Sequence, residues 1–264
     1  MKKILAMLGA LAGLSFAASA VANPIVDTWT FAETLAWSAQ TYTAGGGSQT
    51  NLPDKLSWGQ SGGSEALGGT RSSLGINPTA ANGTVDTNGL PAITNTITHT
   101  NNVIDSSFAT LATATLHNTL TLTPLLPTPG GAQVIPPIDF LIHFKETLNQ
   151  APCGFPVATT CDDVFVIDFG SLNNSFVYDT NTYFISIITT TGNLTPLDPG
   201  ACAAAGSPAG CLGFTTPENA VTPVTFAFLI TSQPVTVPEP SQLALLAIGL
   251  LGLYFIRGRK SQKL

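Results

Sequence analysis

Residues 108–123 read FATLATATLHNTLTLT, and this stretch decides the fold class. Between residues 112 and 123 the even positions are Ala or Leu except for Asn118, and the odd positions are Thr except for His117. A period of two places these sets on opposite faces of a strand, one apolar and one covered with hydroxyl groups. The stretch therefore predicts a long, half-buried β-strand.

Other segments of the chain have the same character. Residues 138–144 alternate between large apolar and mostly polar side chains, and residues 164–169 are almost continuously apolar, which is typical of a central strand. Residues 183–190 and 224–231 are rich in β-branched and aromatic residues. Roughly ten strands at this spacing predict an all-β fold, a single jelly-roll-like β-sandwich that spans residues 23–236.

The composition excludes several classes of protein. Only 9% of the 264 residues are charged, which argues against a helical bundle or coiled coil. All fifteen acidic residues lie between residues 23 and 240, whereas six of the nine basic residues lie at the two ends. Residues 23–240 therefore have a formal charge of −12 and cannot neutralise phosphates, so nucleic acid is excluded as a partner.

The first 22 residues have the order of a secretory signal peptide. Lys2 and Lys3 precede a short apolar run, which is followed by small residues that end at Ala20-Val21-Ala22. This order predicts export with cleavage after Ala22, so that the mature chain starts at Asn23.

The last residues, 237–264, form a second signal. Pro238-Glu239-Pro240 leads into sixteen uncharged residues, 241–256, and then into a basic tip that starts at Arg257. Sixteen helical residues span about 24 Å, which is short but feasible for a bilayer about 30 Å thick. The basic tip predicts a cytoplasmic end, with the body on the other side of the membrane.

This ending resembles a PEP-CTERM sorting signal. The resemblance implies that exosortase, a membrane cysteine transpeptidase of Gram-negative bacteria that make extracellular polysaccharide, is a partner. It further implies that the tail is removed near Pro238-Glu239-Pro240 and that the body passes to the cell surface or extracellular matrix. A permanent single-pass anchor is the alternative.

Four cysteines point to disulfides in an exported protein. Cys153, Cys161, Cys202 and Cys211 allow three pairings. Cys153 with Cys161 and Cys202 with Cys211 would close short loops, and we expect this local pattern. The spacing does not match a zinc site.

Acidic residues cluster around the first cysteine pair, and hard oxygen ligands of this kind suit Ca²⁺. A solvated acidic rim is the alternative, and no cofactor is expected as the main prediction. The residues in question are Glu146, Asp162, Asp163, Asp168 and Asp179.

Thr98-His99-Thr100-Asn101 resembles the motif of the THxN family of PEP-CTERM proteins. Further segments between Trp58 and Ile230 are similar to that family in the same order. The resemblance implies a class and no catalytic role. From the residues alone we expect a structural role, in which His99 ends a strand at the sheet edge, Asn101-Asn102 form a turn, and the imidazole hydrogen-bonds a neighbouring strand.

No catalytic signature is present in the sequence. His99, His117 and His143 could ligate a metal, but the chain has no nucleophile elbow, no HExxH and no dinucleotide fingerprint. We therefore expect a non-enzymatic surface or matrix protein associated with exopolysaccharide or biofilm.

Two alternatives remain open. A carbohydrate-binding module would use Trp29, Trp37, Trp58 or Tyr residues for stacking on sugar rings, although core packing of each Trp is the favoured interpretation. A secreted hydrolase would use paired carboxylates in a cleft.

Overall fold

A computed structural model describes residues 25–147, 155, 161–168, 173–191 and 194–235. Within these residues the chain forms fourteen β-strands and one short α-helix, as an all-β fold. The strands make two seven-stranded sheets in which every strand pair is antiparallel.

The first sheet runs, from edge to edge, through β12 (Thr195–Pro196), β13 (Leu212–Thr216), β9 (Asp163–Ile167), β8 (Gln133–Lys145), β7 (Leu111–Leu126), β1 (Thr28–Tyr42) and β5 (Ala80–Asp86). The second sheet runs through β10 (Asn174–Tyr178), β11 (Asn181–Thr191), β14 (Ala220–Thr231), β6 (Ala92–Asn101), β4 (Arg71–Asn77), β3 (Lys55–Gly59) and β2 (Ser48–Leu52).

The alternating stretch of the sequence is strand β7, as predicted. Its even positions from Ala114 to Leu122 are buried and its Thr positions are partly exposed. Strand β8 repeats the pattern, with Ile138, Phe140, Ile142 and Phe144 buried. Because β7 pairs with both β1 and β8, its apolar face continues across three strands.

The two sheets share one apolar core. Phe31 of β1 packs edge-on against Phe228 of β14, with ring centroids 5.0 Å apart. Trp29 of β1 packs in the same way against Tyr183 of β11 at 5.1 Å. These contacts join opposite sheets, so the fold is sandwich-like. The strand order includes two meanders within single sheets, β2–β3–β4 and β7–β8–β9, and does not by itself define a jelly roll.

Strand β9 is buried on both faces, which explains its continuous apolar sequence. One face joins the main core through Phe165 and Ile167, and the other packs Val164 and Val166 against helix α1 (Pro199–Ala204).

A disulfide between Cys202 and Cys211 ties α1 to the start of β13. This pairing confirms one of the two expected local bridges. Cys161 is buried and is also disulfide-bonded. Its expected partner, Cys153, lies outside the described residues.

Both predicted signals lie outside the described residues. These are the signal peptide at residues 1–22 and the sorting signal at residues 237–264. The structure does not test either one, so both remain predictions. In the part of the chain that is described, no helix combines the length and the apolar character needed to cross a membrane.

A buried carboxyl lies between the sheets. Glu33 of β1 is 5% exposed, and its Oε1 accepts a hydrogen bond from the Asn118 side chain. Burial raises the pKa of Glu33, and this hydrogen bond only partly opposes the shift. Because the folded protein holds this proton more tightly than the unfolded chain, Glu33 loses its stabilising contribution as the pH rises above about 4.5 towards the raised value.

Glu33→Gln removes this ionisation. We expect the free energy of unfolding of the wild-type protein to fall more steeply between pH 4 and pH 8 than that of the variant, measured by urea titration. The difference between the two curves isolates Glu33 from other titrating groups. Asp54→Asn, at an exposed position, controls for the loss of one negative charge. Parallel curves for wild type and Glu33→Gln would contradict the prediction.

Candidate functional site

Three carboxylates meet at one end of the sandwich. Glu146 follows the end of β8, Asp163 begins β9, and Glu218 lies in the turn between β13 and β14. One carboxylate oxygen of each residue lies within 4.8 Å of the corresponding oxygens of the other two. Since β13 belongs to the first sheet and β14 to the second, the turn that carries Glu218 crosses between the sheets.

Two of these carboxylates are held by donors from the surrounding fold. The Trp58 Nε1–H of β3 donates to Glu146 Oε2 at 2.7 Å. The Thr147 backbone N–H donates to Asp163 Oδ1 at 2.9 Å. Each carboxylate therefore has one oxygen fixed by a hydrogen bond and the other directed into the cluster.

His99 lies at the wall of this acidic cluster. The residue is in β6, an interior strand of the second sheet, and is 0% exposed. Its ring packs edge-on against Phe144 at 5.0 Å and lies nearly parallel to Trp58 at 6.2 Å. His99 Nε2 is 3.9 Å from Asp163 Oδ2. The imidazole therefore faces the acidic residues across the core.

The expected role of the THxN residues in a turn is wrong. His99 is not at a sheet edge, and neither of its ring nitrogens has a hydrogen-bond partner within the described residues. Asn101 is the last residue of β6 and pairs with Ala220 of β14, and Asn102 is fully buried. Alternation along β6 sends His99 and Asn101 inward, so both side chains are used by the core rather than by a chain reversal.

Asn101 connects the THxN motif to the acidic turn. Its Nδ2 donates to the backbone oxygen of Thr216, the last residue of β13, at 3.0 Å. Thr216 pairs directly with Asp163 across the β13–β9 ladder. This hydrogen bond fixes the end of β13 immediately before the turn that carries Glu218.

Burial dominates the electrostatics of the cluster. It raises the pKa of Glu146 to about 8, helped by the nearby Glu218 carboxylate and opposed by the Trp58 hydrogen bond. Burial also raises the pKa of Glu218 to about 7. It raises the pKa of Asp163 well above its ordinary value, and the nearby Glu146 carboxylate raises it further. Burial also lowers the pKa of His99 to about 3, so the imidazole is neutral.

Polar atoms without a hydrogen-bond partner concentrate at this end of the fold. The described residues contain twelve buried side-chain nitrogen or oxygen atoms of this kind, and eight belong to the cluster and its neighbours. They are His99 Nδ1 and Nε2, Asn101 Oδ1, Glu146 Oε1, Asp163 Oδ2, Thr216 Oγ1, and both carboxylate oxygens of Glu218. A buried polar group without a partner is costly, so this end of the sandwich is the candidate functional site.

The acidic residues expected to form a rim or a Ca²⁺ site separate into two sets. Asp168 and Asp179 are exposed. Asp162 is buried and accepts a hydrogen bond from Thr215 Oγ1 at 3.1 Å. Glu146 and Asp163 meet in the cluster. Because Asp162 and Asp163 are both buried, the expectation of a solvated rim is wrong for these two residues. Sequence reasoning missed Glu218, because only the crossing turn brings it to Asp163.

The three histidines do not converge. His117 of β7 contacts Asp139 on the outer face of the first sheet, with 2.5 Å between His117 Nδ1 and Asp139 Oδ1. His143 of β8 pairs with Thr113, four residues along β7 from His117. A three-histidine metal site is therefore excluded, because His99 alone of the three lies in the core.

The tryptophans belong to the core. Trp29 and Trp58 are 0% exposed and Trp37 is 5% exposed. Core packing of the three residues is confirmed, and the suggestion that they stack on sugar rings is wrong.

Trp58→Phe tests how firmly the cluster is held. Phe preserves most of the ring contacts but cannot donate to Glu146, so we expect a loss of about 1–3 kcal/mol in the free energy of unfolding. Trp37→Phe is the matched control, because the Trp37 Nε1–H is buried without a hydrogen-bond partner among the described residues. Equal losses for the two variants in urea unfolding would contradict a stabilising Trp58–Glu146 bond.

Comparison with known proteins identifies the C-terminal signal. Residues 236–260 match the family model described as the PEP-CTERM protein-sorting motif. No curated protein matches the chain. The motif covers twenty-five residues and leaves the sandwich unassigned. It supports an exported exosortase substrate that is first a membrane-anchored precursor and then passes to the cell surface.

Proposed function

We propose that the protein is a non-catalytic component of the cell surface or extracellular matrix, associated with exopolysaccharide, to which exosortase delivers the sandwich. The sorting motif carries this proposal. It begins at residue 236, and the last strand, β14, ends at Thr231. All fourteen described strands therefore precede the signal. Cleavage of the tail from a folded body requires this order.

Removal of the tail is the first part of the proposal. Cleavage near Pro238-Glu239-Pro240 would leave the apolar segment 241–256 and its basic tip in the membrane. The Cys202–Cys211 disulfide supports delivery to an oxidising location outside the cytoplasm.

We also assign the sandwich to the THxN type of PEP-CTERM protein. Support comes from the alternation in Thr98-His99-Thr100-Asn101, where the two Thr are partly exposed and His99 and Asn101 are buried beside the acidic cluster. In this assignment the motif is needed for the interior of the fold, and the Thr positions tolerate exchange more readily.

A hydrolase is less well supported than a structural role. Glycosidases need two carboxyl groups that a sugar can reach. Here the free oxygens of Glu146, Asp163 and Glu218 are all buried within the protein. A sugar ring has no access to them, which argues against glycoside hydrolysis at this cluster.

The outer face of the first sheet is the surface we assign to polysaccharide. Thr34 of β1 and Thr119 of β7 share a hydrogen bond of 2.5 Å between their hydroxyl groups, and Thr41 and Thr113 share one of 2.6 Å. These ladders give the face hydroxyl and methyl groups on either side of the His117–Asp139 pair. Such a face offers sugars hydrogen-bond donors and acceptors together with apolar contact.

Replacement of Pro238, Glu239 and Pro240 together by Ala tests the sorting step. We expect the wild-type protein on the cell surface to have an intact mass that ends before the apolar segment, and the triple variant to remain at full C-terminal length in the membrane fraction. Pro234→Ala, just outside the matched residues, should be processed like the wild type. A surface-exposed wild-type form that retains its apolar tail would contradict cleavage.

The Thr34→Glu/Thr119→Glu pair tests the polysaccharide surface. We expect a several-fold smaller share of the processed protein in the polysaccharide fraction, because two buried charges between sugar and sheet would be costly. Thr96→Glu/Thr225→Glu is the control, since these residues share a hydroxyl hydrogen bond of 2.9 Å on the opposite sheet. An equal share for wild type and the first pair would refute this surface.

A further inference from the structure

The acidic cluster and His99 together have the composition of a metal-binding site. Two independent observations point to a ligand. The oxygens of Glu146, Asp163 and Glu218 lie within 4.8 Å of one another. Separately, the imidazole of His99 is fully buried, has no hydrogen-bond partner on either nitrogen among the described residues, and points its Nε2 at Asp163 from 3.9 Å.

The surrounding hydrogen bonds orient the carboxylates in the way that supporting residues orient metal ligands. Trp58 holds Glu146 Oε2 and the Thr147 backbone holds Asp163 Oδ1. The remaining oxygens, Glu146 Oε1 and Asp163 Oδ2, are buried with no donor from outside the cluster among the described residues, and the two carboxyl groups lie close enough to share a proton. Outer partners of this kind fix the direction of a ligand and leave its second oxygen for the ion.

We propose that Glu146, Asp163, Glu218 and His99 Nε2 bind one divalent transition-metal ion, which links the two sheets at this end of the sandwich. Glu146 follows β8 and Asp163 begins β9 of the first sheet, His99 belongs to the second sheet, and Glu218 lies in the turn between the two. The ion would give His99 Nε2 a partner and would replace the proton that the Glu146 and Asp163 carboxyl groups can share.

The donor set selects the class of ion. Ca²⁺ and Mg²⁺ are bound by oxygen ligands, whereas imidazole suits Zn²⁺ and similar transition-metal ions and carboxylates also suit Mn²⁺. Three carboxylates with one imidazole therefore favour Zn²⁺ or Mn²⁺. Around an ion with ligands at about 2.1 Å, two ligand atoms lie about 3.0 Å apart at right angles and about 4.2 Å apart on opposite sides. The three carboxylate oxygens lie within 4.8 Å of one another and need only a small contraction. His99 Nε2 is 3.9 Å from Asp163 Oδ2 but lies outside that group, so the imidazole must move towards Glu146 and Glu218 to share the ion.

The charge balance favours a cation at this position. When ionised, the three carboxylates have a charge of −3, and the body contains three basic residues, Lys55, Arg71 and Lys145, against its acidic excess. Lys145 influences Glu146 from the neighbouring position, but it is exposed. A divalent ion would neutralise most of the charge of the cluster.

Metal binding to the full-length protein, purified in detergent and stripped with a chelator, tests the proposal. Calorimetry with Zn²⁺, Mn²⁺, Ca²⁺ and Mg²⁺ measures affinity, and elemental analysis measures stoichiometry. We expect one Zn²⁺ or Mn²⁺ per chain, with Ca²⁺ and Mg²⁺ at least tenfold weaker. Failure of the wild-type protein to bind Zn²⁺ or Mn²⁺ overturns the proposal.

Variants locate the ion. Glu218→Gln is the primary variant, because Glu218 lies in a turn at the partly exposed edge of the cluster and its replacement spares the core. Glu218→Gln and Asp163→Asn should each lose stoichiometric binding, and Trp58→Phe should weaken it about 10–100-fold. Glu33→Gln, a buried carboxylate outside the cluster, should bind as the wild type does. Retained binding in both ligand variants overturns the location.

Spectroscopy tests His99 directly. The electron spin echo of bound Mn²⁺ should show modulation from an imidazole nitrogen, and His99→Gln should lose this modulation, a result that a purely structural role would not produce. His143→Gln on the sheet surface is the control, and its spectrum should be unchanged. Absence of nitrogen coupling in the wild type, or tighter binding of Ca²⁺ than of Mn²⁺, overturns the assignment of His99 as a ligand.

Discussion

The register between β7 and its two neighbours is the constraint on which the rest of the structure depends. Leu116 of β7 lies opposite Trp37 of β1 and Phe140 of β8, so the inward residues of three strands form one apolar surface. A shift of one residue would exchange this surface for the Thr face and expose the core. The second sheet packs on this surface through residues such as Phe228, and its position therefore follows from the register.

The buried polar residues of this core differ in whether they have hydrogen-bond partners. Arg71 is 4% exposed and donates to Ser48, Thr50, Ser57 and Gln60, so its charge is well surrounded by hydrogen bonds. The side chain of Asn102 is also hydrogen-bonded at both ends of its amide. Its oxygen accepts from the Gly68 N–H, and its nitrogen donates to the backbone oxygens of Ala66 and Arg71. The acidic cluster differs, because neither nitrogen of the buried His99 has a hydrogen-bond partner among the described residues and two buried acidic side chains, Glu146 and Asp163, face each other. The contrast shows that this fold can satisfy buried polar groups, and it gives the exception at the cluster its significance.

Local patterns in the sequence were enough to predict the strands but not which residues of different strands contact one another. Alternation identified β7 and β8, and the apolar run identified β9, because each depends only on which face of a strand is buried. The short separation of Cys202 and Cys211 along the sequence was enough to predict their disulfide. Glu218 could not be found in this way, since its contact with Asp163 depends on a turn that changes sheets. His99 was misplaced because a short polar stretch after it resembles a turn, although β6 continues to Asn101 between two partners.

Both sheets end in short strands. Strand β12 has two residues and includes Pro196, which has no N–H to donate, and β10 and β2 have five residues each. Among the edge strands of the described residues, only β5, with seven residues, is longer, and its sequence contains Gly83 and few apolar side chains. Short or poorly templating edges limit pairing between copies of a β protein. A sandwich built in this way can be packed densely beside its own copies on a surface and still remain a set of separate folded units rather than a continuous cross-β aggregate.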